Sequence, residues 1–232
     1  MFHAVSRITR DHIGEGAVTR SQTRALLVCG VASSLVYAAM NAFIPLLWPE
    51  YSVTTQTISE LSAVGAPTRP VWVITGVLYT LLYAGFGLGV LQYAADNNRL
   101  RAAGVIIIAQ GILGVYWPPM QQRGNEFALT DAMHIAWAIV TLVLMLVTIG
   151  FGAMSLGAAF KRYSIATVAV FLVFGVLTGI ESPGIAGNFP TPLIGVWERI
   201  NIAAFMLWVA VFAVALMRDN REGIAALNPQ EA

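Results

Sequence analysis

The sequence predicts an all-α, polytopic membrane protein of six transmembrane helices, and three observations carry that reading. Only 11% of the 232 residues are charged and 57% are hydrophobic, whereas soluble domains carry about 25% charged residues. Six apolar segments approach the roughly 20 residues that a helix needs to cross a bilayer: Ala25–Trp48, Val71–Ala95, Ala102–Trp117, Leu129–Leu156, Ser164–Ile180 and Leu193–Met217. The connections between them are short except Pro49–Pro70. This divides the chain into a polar tail (1–24), one six-helix domain (25–217) and a second tail (218–232).

The distribution of charge orients the bundle. Arg7, Arg10, Arg20, Arg24, Arg99, Arg101, Lys161, Arg162, Arg218 and Arg221 fall on the side of the termini, and only Arg69, Arg123 and Arg199 fall on the other. Cytoplasmic loops collect Lys and Arg, so both termini are expected in the cytoplasm, with the protein an integral multi-pass component of the plasma membrane. The first apolar run follows a polar tail and exceeds the roughly 7–15 residues of a signal core, so it reads as a retained span. The net charge of +1 offers no field for nucleic acid. Cys29 is the one cysteine and can form no internal disulfide.

In the first helix, Ser34, Tyr37 and Asn41 share a face at helical spacing, which suits bonding to a neighbouring helix. Pro45 is expected to kink its outer end and Pro49 to stop it. The first outer loop carries Thr57-Ile58-Ser59-Glu60, the spacing of a capping box, with Gly65 and Pro67 as stop signals. It predicts a short amphipathic helix, with Ile58, Leu61 and Val64 on one side, lying on the outer interface or tipped in as a lid. Gly85-x-x-x-Gly89 and Gly175-x-x-x-Gly179 in the second and fifth helices have the spacing that lets helices approach closely. They serve packing within the chain or a homo-oligomer. The third and fifth helices stop at Pro118 and Pro183, and their early ends predict a water-filled vestibule in the outer half.

The fourth helix enters that level with Asp131 and His134, one turn apart on one face. His134 is the only histidine outside the N-terminal tail. Glu60, Arg123, Glu126, Glu181, Glu198, Arg199 and Asn201 fall at the same level. An ionised side chain near mid-bilayer costs roughly 2.5–3.5 kcal/mol, so these residues are either solvated helix ends with ion pairs or the lining of a pocket. The candidate ligand-binding set is Glu60, Asp131, His134, Glu181, Glu198, Arg199 and Asn201. His134 and Asp131 are the candidate acid–base pair. A histidine metal site or bis-histidine haem lacks ligands. Ser59, Ser62 and Ser182 lack a nucleophile-elbow pattern. No cofactor is expected.

The string Thr57-Ile58-Ser59-Glu60-Leu61-Ser62-Ala63 with Gly65-Ala66-Pro67, then Asp131-x-x-His134, then Trp197-Glu198-Arg199-Ile200, resembles the bacterial and archaeal membrane proteins of the domain of unknown function nine-nine-eight family. The resemblance implies a six-helix membrane fold and no established activity. Three functional readings follow: an outward-facing polar cavity for a small polar ligand or lipid headgroup, an enzyme acting on a lipid or lipid-linked substrate through His134, or a non-catalytic assembly or regulatory subunit. Membrane lipids are the expected partners in each.

Overall fold

Apolar side chains set the helices, because in lipid a backbone can satisfy its polar groups only within a helix or a closed barrel. A computed structural model describes residues 2–227, and the side chains of residues 20–219. The helices are α1 (Phe2–Phe43), α2 (Arg69–Tyr93), α3 (Asn98–Val115), α4 (Leu129–Ala153), α5 (Ala158–Glu181), the one-turn α6 (Pro183–Ala186) and α7 (Ile194–Leu227). Among the described residues six helical stretches are long and apolar enough to cross a membrane: Arg20–Leu47, Arg69–Tyr93, Asn98–Val115, Leu129–Ala153, Ala158–Ala186 and Ile194–Asp219. The all-helical, six-span fold predicted from composition is the fold observed. α1 continues through the polar tail as one helix. The side chains of Arg7, Arg10 and Arg221, which entered the charge asymmetry, lie outside the described residues.

Local sequence explains most helix ends. The Asn97 side chain caps α3, accepting from the amides of Arg99 at 3.1 Å and Leu100 at 3.2 Å. Pro118 and Pro119 force the residues before them out of helical geometry, so α3 ends at Val115. α1 tightens into a 3-10 turn over Ile44–Leu47, with Pro45 in its first turn. The fifth span departs from expectation: it reaches Glu181 and resumes in α6, so only the third helix ends early.

α2 packs along α1 and α3, α7 packs on α5 and α1, and α4 bridges α3 and α5. Gly89 is where α2 meets α1 backbone to backbone: a Cβ there would sit 2.8 Å from the Leu27 amide nitrogen. Its motif partner Gly85 makes only ordinary contacts, and Gly179 faces open space. Between α5 and α7 the core is aromatic, with Trp208 and Phe212 at 4.9 Å between ring centres and the Trp208 indole donating to Ser164 Oγ at 2.9 Å. Polar ties cross the bundle. Ser34 Oγ donates to the Met206 carbonyl at 2.8 Å, Asn201 Nδ2 to the Phe171 carbonyl at 2.9 Å, and Gln110 Nε2 to Thr148 Oγ1 at 2.9 Å. Of the predicted stripe, Ser34 bonds α7 and Tyr37 packs edge-on against Trp72 of α2, whereas Asn41 donates to the Tyr37 carbonyl of its own helix.

At the end of the bundle remote from the termini, here called distal, the connection between α1 and α2 folds inward. Ala63, Ala66 and Met120 form a small apolar cluster with Trp48 and Ile185. The Val64 amide donates to the Met120 carbonyl at 2.9 Å. The open vestibule expected at this level is filled by this loop.

A clamped distal loop and its cleft as the candidate functional site

Thr57 starts the loop's 3-10 turn, Ile58–Ser62. Its hydroxyl accepts from the Glu60 amide at 3.3 Å, and the Glu60 carboxylate accepts from the Thr57 amide at 2.7 Å, which is the predicted capping box. The expected short helix is a five-residue 3-10 turn, and its burial matches the tipped-in alternative rather than one laid on the interface. Ile58, Glu60, Leu61 and Ser62 are all buried, with Glu60 only 2% exposed. Ala63 is extended, and Gly65 reverses the chain at φ +78, where an L side chain would be strained.

Other segments supply the clamps. Arg123, between α3 and α4, grips Glu60 with a two-pronged pair, Nε to Oε1 at 2.6 Å and Nη2 to Oε2 at 3.1 Å, and donates through Nη2 to the Thr55 carbonyl at 2.7 Å. Arg199, in the first turns of α7, donates through Nη1 to the carbonyls of Val53 at 2.8 Å and Gln56 at 3.2 Å. Its Nη2 donates to the Tyr51 hydroxyl at 2.6 Å. That hydroxyl donates in turn to the Thr57 carbonyl at 2.7 Å. Burial pushes the Tyr51 hydroxyl up from 10.0 to about 12, against the opposing pull of the Arg199 cation, so it remains a neutral donor. Arg69 donates to the Ser62 carbonyl. Glu198 completes the set: its Oε2 accepts from the Ile58 amide at 2.5 Å and its Oε1 from Ser59 Oγ at 3.4 Å. A buried irregular loop must find partners for its peptide groups. Here the guanidinium forks and carboxylates of three separate segments supply many of them.

Beside this clamp lies a partly open cleft of about 110 Å³, lined by Trp48, Gln56, Glu60, Ala63, Gln122 and Arg123. Drug-sized ligand pockets span roughly 300–1,000 Å³, so the space suits a small polar group rather than a whole lipid.

The profile of the family described as "Protein of unknown function (DUF998)" matches residues 31–215. The chain belongs to that family. No curated protein and no solved structure matches it. For this member of the family, the matched region contains the loop, every clamp and the cleft.

The remaining predicted site residues sit apart from the cleft. Asp131 accepts from the Gln121 amide through Oδ1 at 2.7 Å and from the Ala128 amide through Oδ2 at 2.9 Å, so it caps α4 and pins the preceding strand of chain. His134 is buried under that strand. Its Nδ1 lies 2.7 Å from the Pro118 carbonyl oxygen and 3.2 Å from the Trp117 indole N–H, so it donates to the first in one tautomer and accepts from the second in the other. The Trp117 ring packs edge-on against the imidazole. The carbonyl of Pro118, not Asp131, orients His134. Glu181 ties α5 to α7, accepting from the Trp197 indole at 3.0 Å and the Leu193 amide at 3.2 Å. Asn201 lies deeper, with its amide nitrogen on the Phe171 carbonyl at 2.9 Å. Glu126 is exposed.

Of the predicted ligand set, the structure brings Glu198 and Arg199 of α7 against the loop that carries Glu60, and places Glu60 alone in the cleft lining. Trp48, Gln56, Ala63 and Gln122 were missed, and Arg123 was noted only as a charge at this level. The signal available for Arg123 was arithmetic: a buried capping-box glutamate requires a cation, and this end of the chain has three.

Proposed function

We propose that this is a plasma-membrane protein with both termini in the cytoplasm, whose distal cleft opens outward and binds a small polar ligand or a lipid headgroup. One observation carries the reading: a charged pair, Glu60 and Arg123, with the Glu60 side chain 3% and the Arg123 side chain 18% exposed, borders a space that no side chain fills. Burying an ion pair gains little stability over a packed apolar pair. A packed apolar contact would have closed this end equally well, and a cleft bordered by charge suits recognition. The excess of Lys and Arg at the opposite end supports the orientation.

Gln122 permits a clean test. It is half-buried, and its side chain has no hydrogen-bond partner among the described residues. Gln122→Trp fills the cleft and leaves the Glu60–Arg123 pair untouched. Native mass spectrometry of detergent-purified protein should find a small bound species on the wild type that is absent from the variant. An identical bound population on both proteins, or none on either, would refute the reading.

A further inference from the structure

The cleft's free hydrogen-bonding groups are nearly all donors. The Glu60 carboxylate already accepts from Arg123 Nε at 2.6 Å and Gln56 Nε2 at 3.3 Å on Oε1. On Oε2 it accepts from the Thr57 amide at 2.7 Å, Thr57 Oγ1 at 2.9 Å and Arg123 Nη2 at 3.1 Å. A carboxylate offers about four lone-pair sites, so Glu60 has nothing left for a ligand. Gln56 has its Oε1 on the Ser52 amide at 2.8 Å and one Nε2 hydrogen on Glu60, and keeps one N–H hydrogen. Ala63 offers no polar side chain. Besides the Gln56 hydrogen, the lining residues offer Arg123 Nη1, the Gln122 amide and the Trp48 indole N–H, none of which has a partner among the described residues. These last three comprise five N–H hydrogens and one acceptor, the Gln122 oxygen.

We infer that the occupant presents an anionic oxyacid group, a phosphate or carboxylate, to Arg123 Nη1, Gln122 and Trp48. The inference rests on the cleft being a binding site. An ammonium group would find its natural partner, Glu60, saturated. A neutral polyol brings a donor with every acceptor, and those donors find little here beyond the Gln122 oxygen. An oxyacid consists of acceptors, and its bonds to a guanidinium are charge-assisted. The pairing of Glu60 with Arg123 sharpens the selection, because it removes the one carboxylate that would repel an anion while leaving a guanidinium edge free.

The test uses the full-length protein in detergent, with the thermal midpoint and native mass spectrometry as readouts and four probes. Inorganic phosphate represents a free oxyacid, phosphatidylglycerol an anionic lipid, choline a cation and glycerol a neutral polyol. Wild-type protein should be stabilised by phosphate, by phosphatidylglycerol or by both, and the arm that responds identifies the source. Gln122→Glu changes one amide to a carboxylate of the same shape and should weaken that binding about tenfold or more. Gln122→Ala should weaken it less. Binding of choline or glycerol in place of the anions, or an undiminished response in Gln122→Glu, would overturn the inference and leave a ligand-binding cleft standing. No response to any probe, together with no species lost in Gln122→Trp, would remove both.

Discussion

Arg199 shows how one side chain can hold a loop without an anionic partner among its hydrogen bonds. Its donors reach two loop carbonyls, the Gly195 carbonyl of its own helix and a phenol oxygen, and its guanidinium lies 5.6 Å from the centre of the Tyr51 ring. The planar fork makes this possible, since a lysine has no rigid geometry with which to reach several acceptors at once. Tyr51 is the relay in the arrangement, accepting from Arg199 and donating to the Thr57 carbonyl. Its titration gives a signed prediction. Burial pushes the folded hydroxyl up to about 12, against 10.0 for the unfolded one. Between those values the unfolded chain releases the proton first, so stability falls as pH rises through that window and is unaffected by this group below it. Tyr51→Phe should cost about 1–2 kcal/mol near neutrality and should show a shallower alkaline decline than the wild type in melts across that range. Equal alkaline slopes would show that Tyr51 does not titrate in this window.

On the scale of a single element, residues 51–66 depend on a close approach to α7. The Gly195 amide donates to the Thr54 carbonyl at 2.9 Å, and a Cβ on Gly195 would fall 2.2 Å from the Gln56 carbonyl oxygen and 2.4 Å from that of Val53. Backbone cannot yield as a flexible side chain does. Gly195→Ala should therefore push the loop off α7 and destabilise the fold by about 1–3 kcal/mol, with proteolysis at 51–56 rising before global unfolding; an unchanged melting midpoint and digestion pattern would count against the contact. The loop also shows where sequence reasoning reached and where it stopped. Thr57-x-x-Glu60 and Gly65 were legible because a capping box and a left-handed turn are local, within a few residues of chain. The 3-10 geometry, the burial and the cleft were not, because they depend on Arg123, Glu198 and Arg199, which arrive far along the chain. Asp131 and His134 misled for a related reason. Their helical spacing is local and correct, yet Gln121 and Pro118 lie outside that helix and take the bonds the pair was expected to share.

At the level of the whole molecule, the six spans put the two termini at one end and the three clamping arginines at the other. α4 and α5 turn much of their apolar surface outward, with Ile135, Ile139, Val143, Ile165, Val173 and Val176 exposed, as surfaces meant for lipid are. Six-span architecture was readable from composition alone, since length and apolarity are properties of single segments, whereas the order of packing is not. The orientation gives its own test. In a Cys29→Ser background, Glu126→Cys at the distal end should react with a membrane-impermeant maleimide on intact cells, and Arg101→Cys at the other end should react only after permeabilisation. The reverse pattern would invert the topology and place the cleft in the cytoplasm.

The clamp also carries a consequence for how the protein is made. The loop is synthesised between α1 and α2, but its partners emerge in sequence: Arg69 at the start of α2, Arg123 after α3, and Glu198 and Arg199 only with α7. A chain emerging N-terminus first holds Glu60 without its cation until α3 has inserted, and the Ile58 amide without its acceptor until the final span. The distal end is thus finished last, although much of its material is made early. Completion of that end therefore waits for α7, the last helix made.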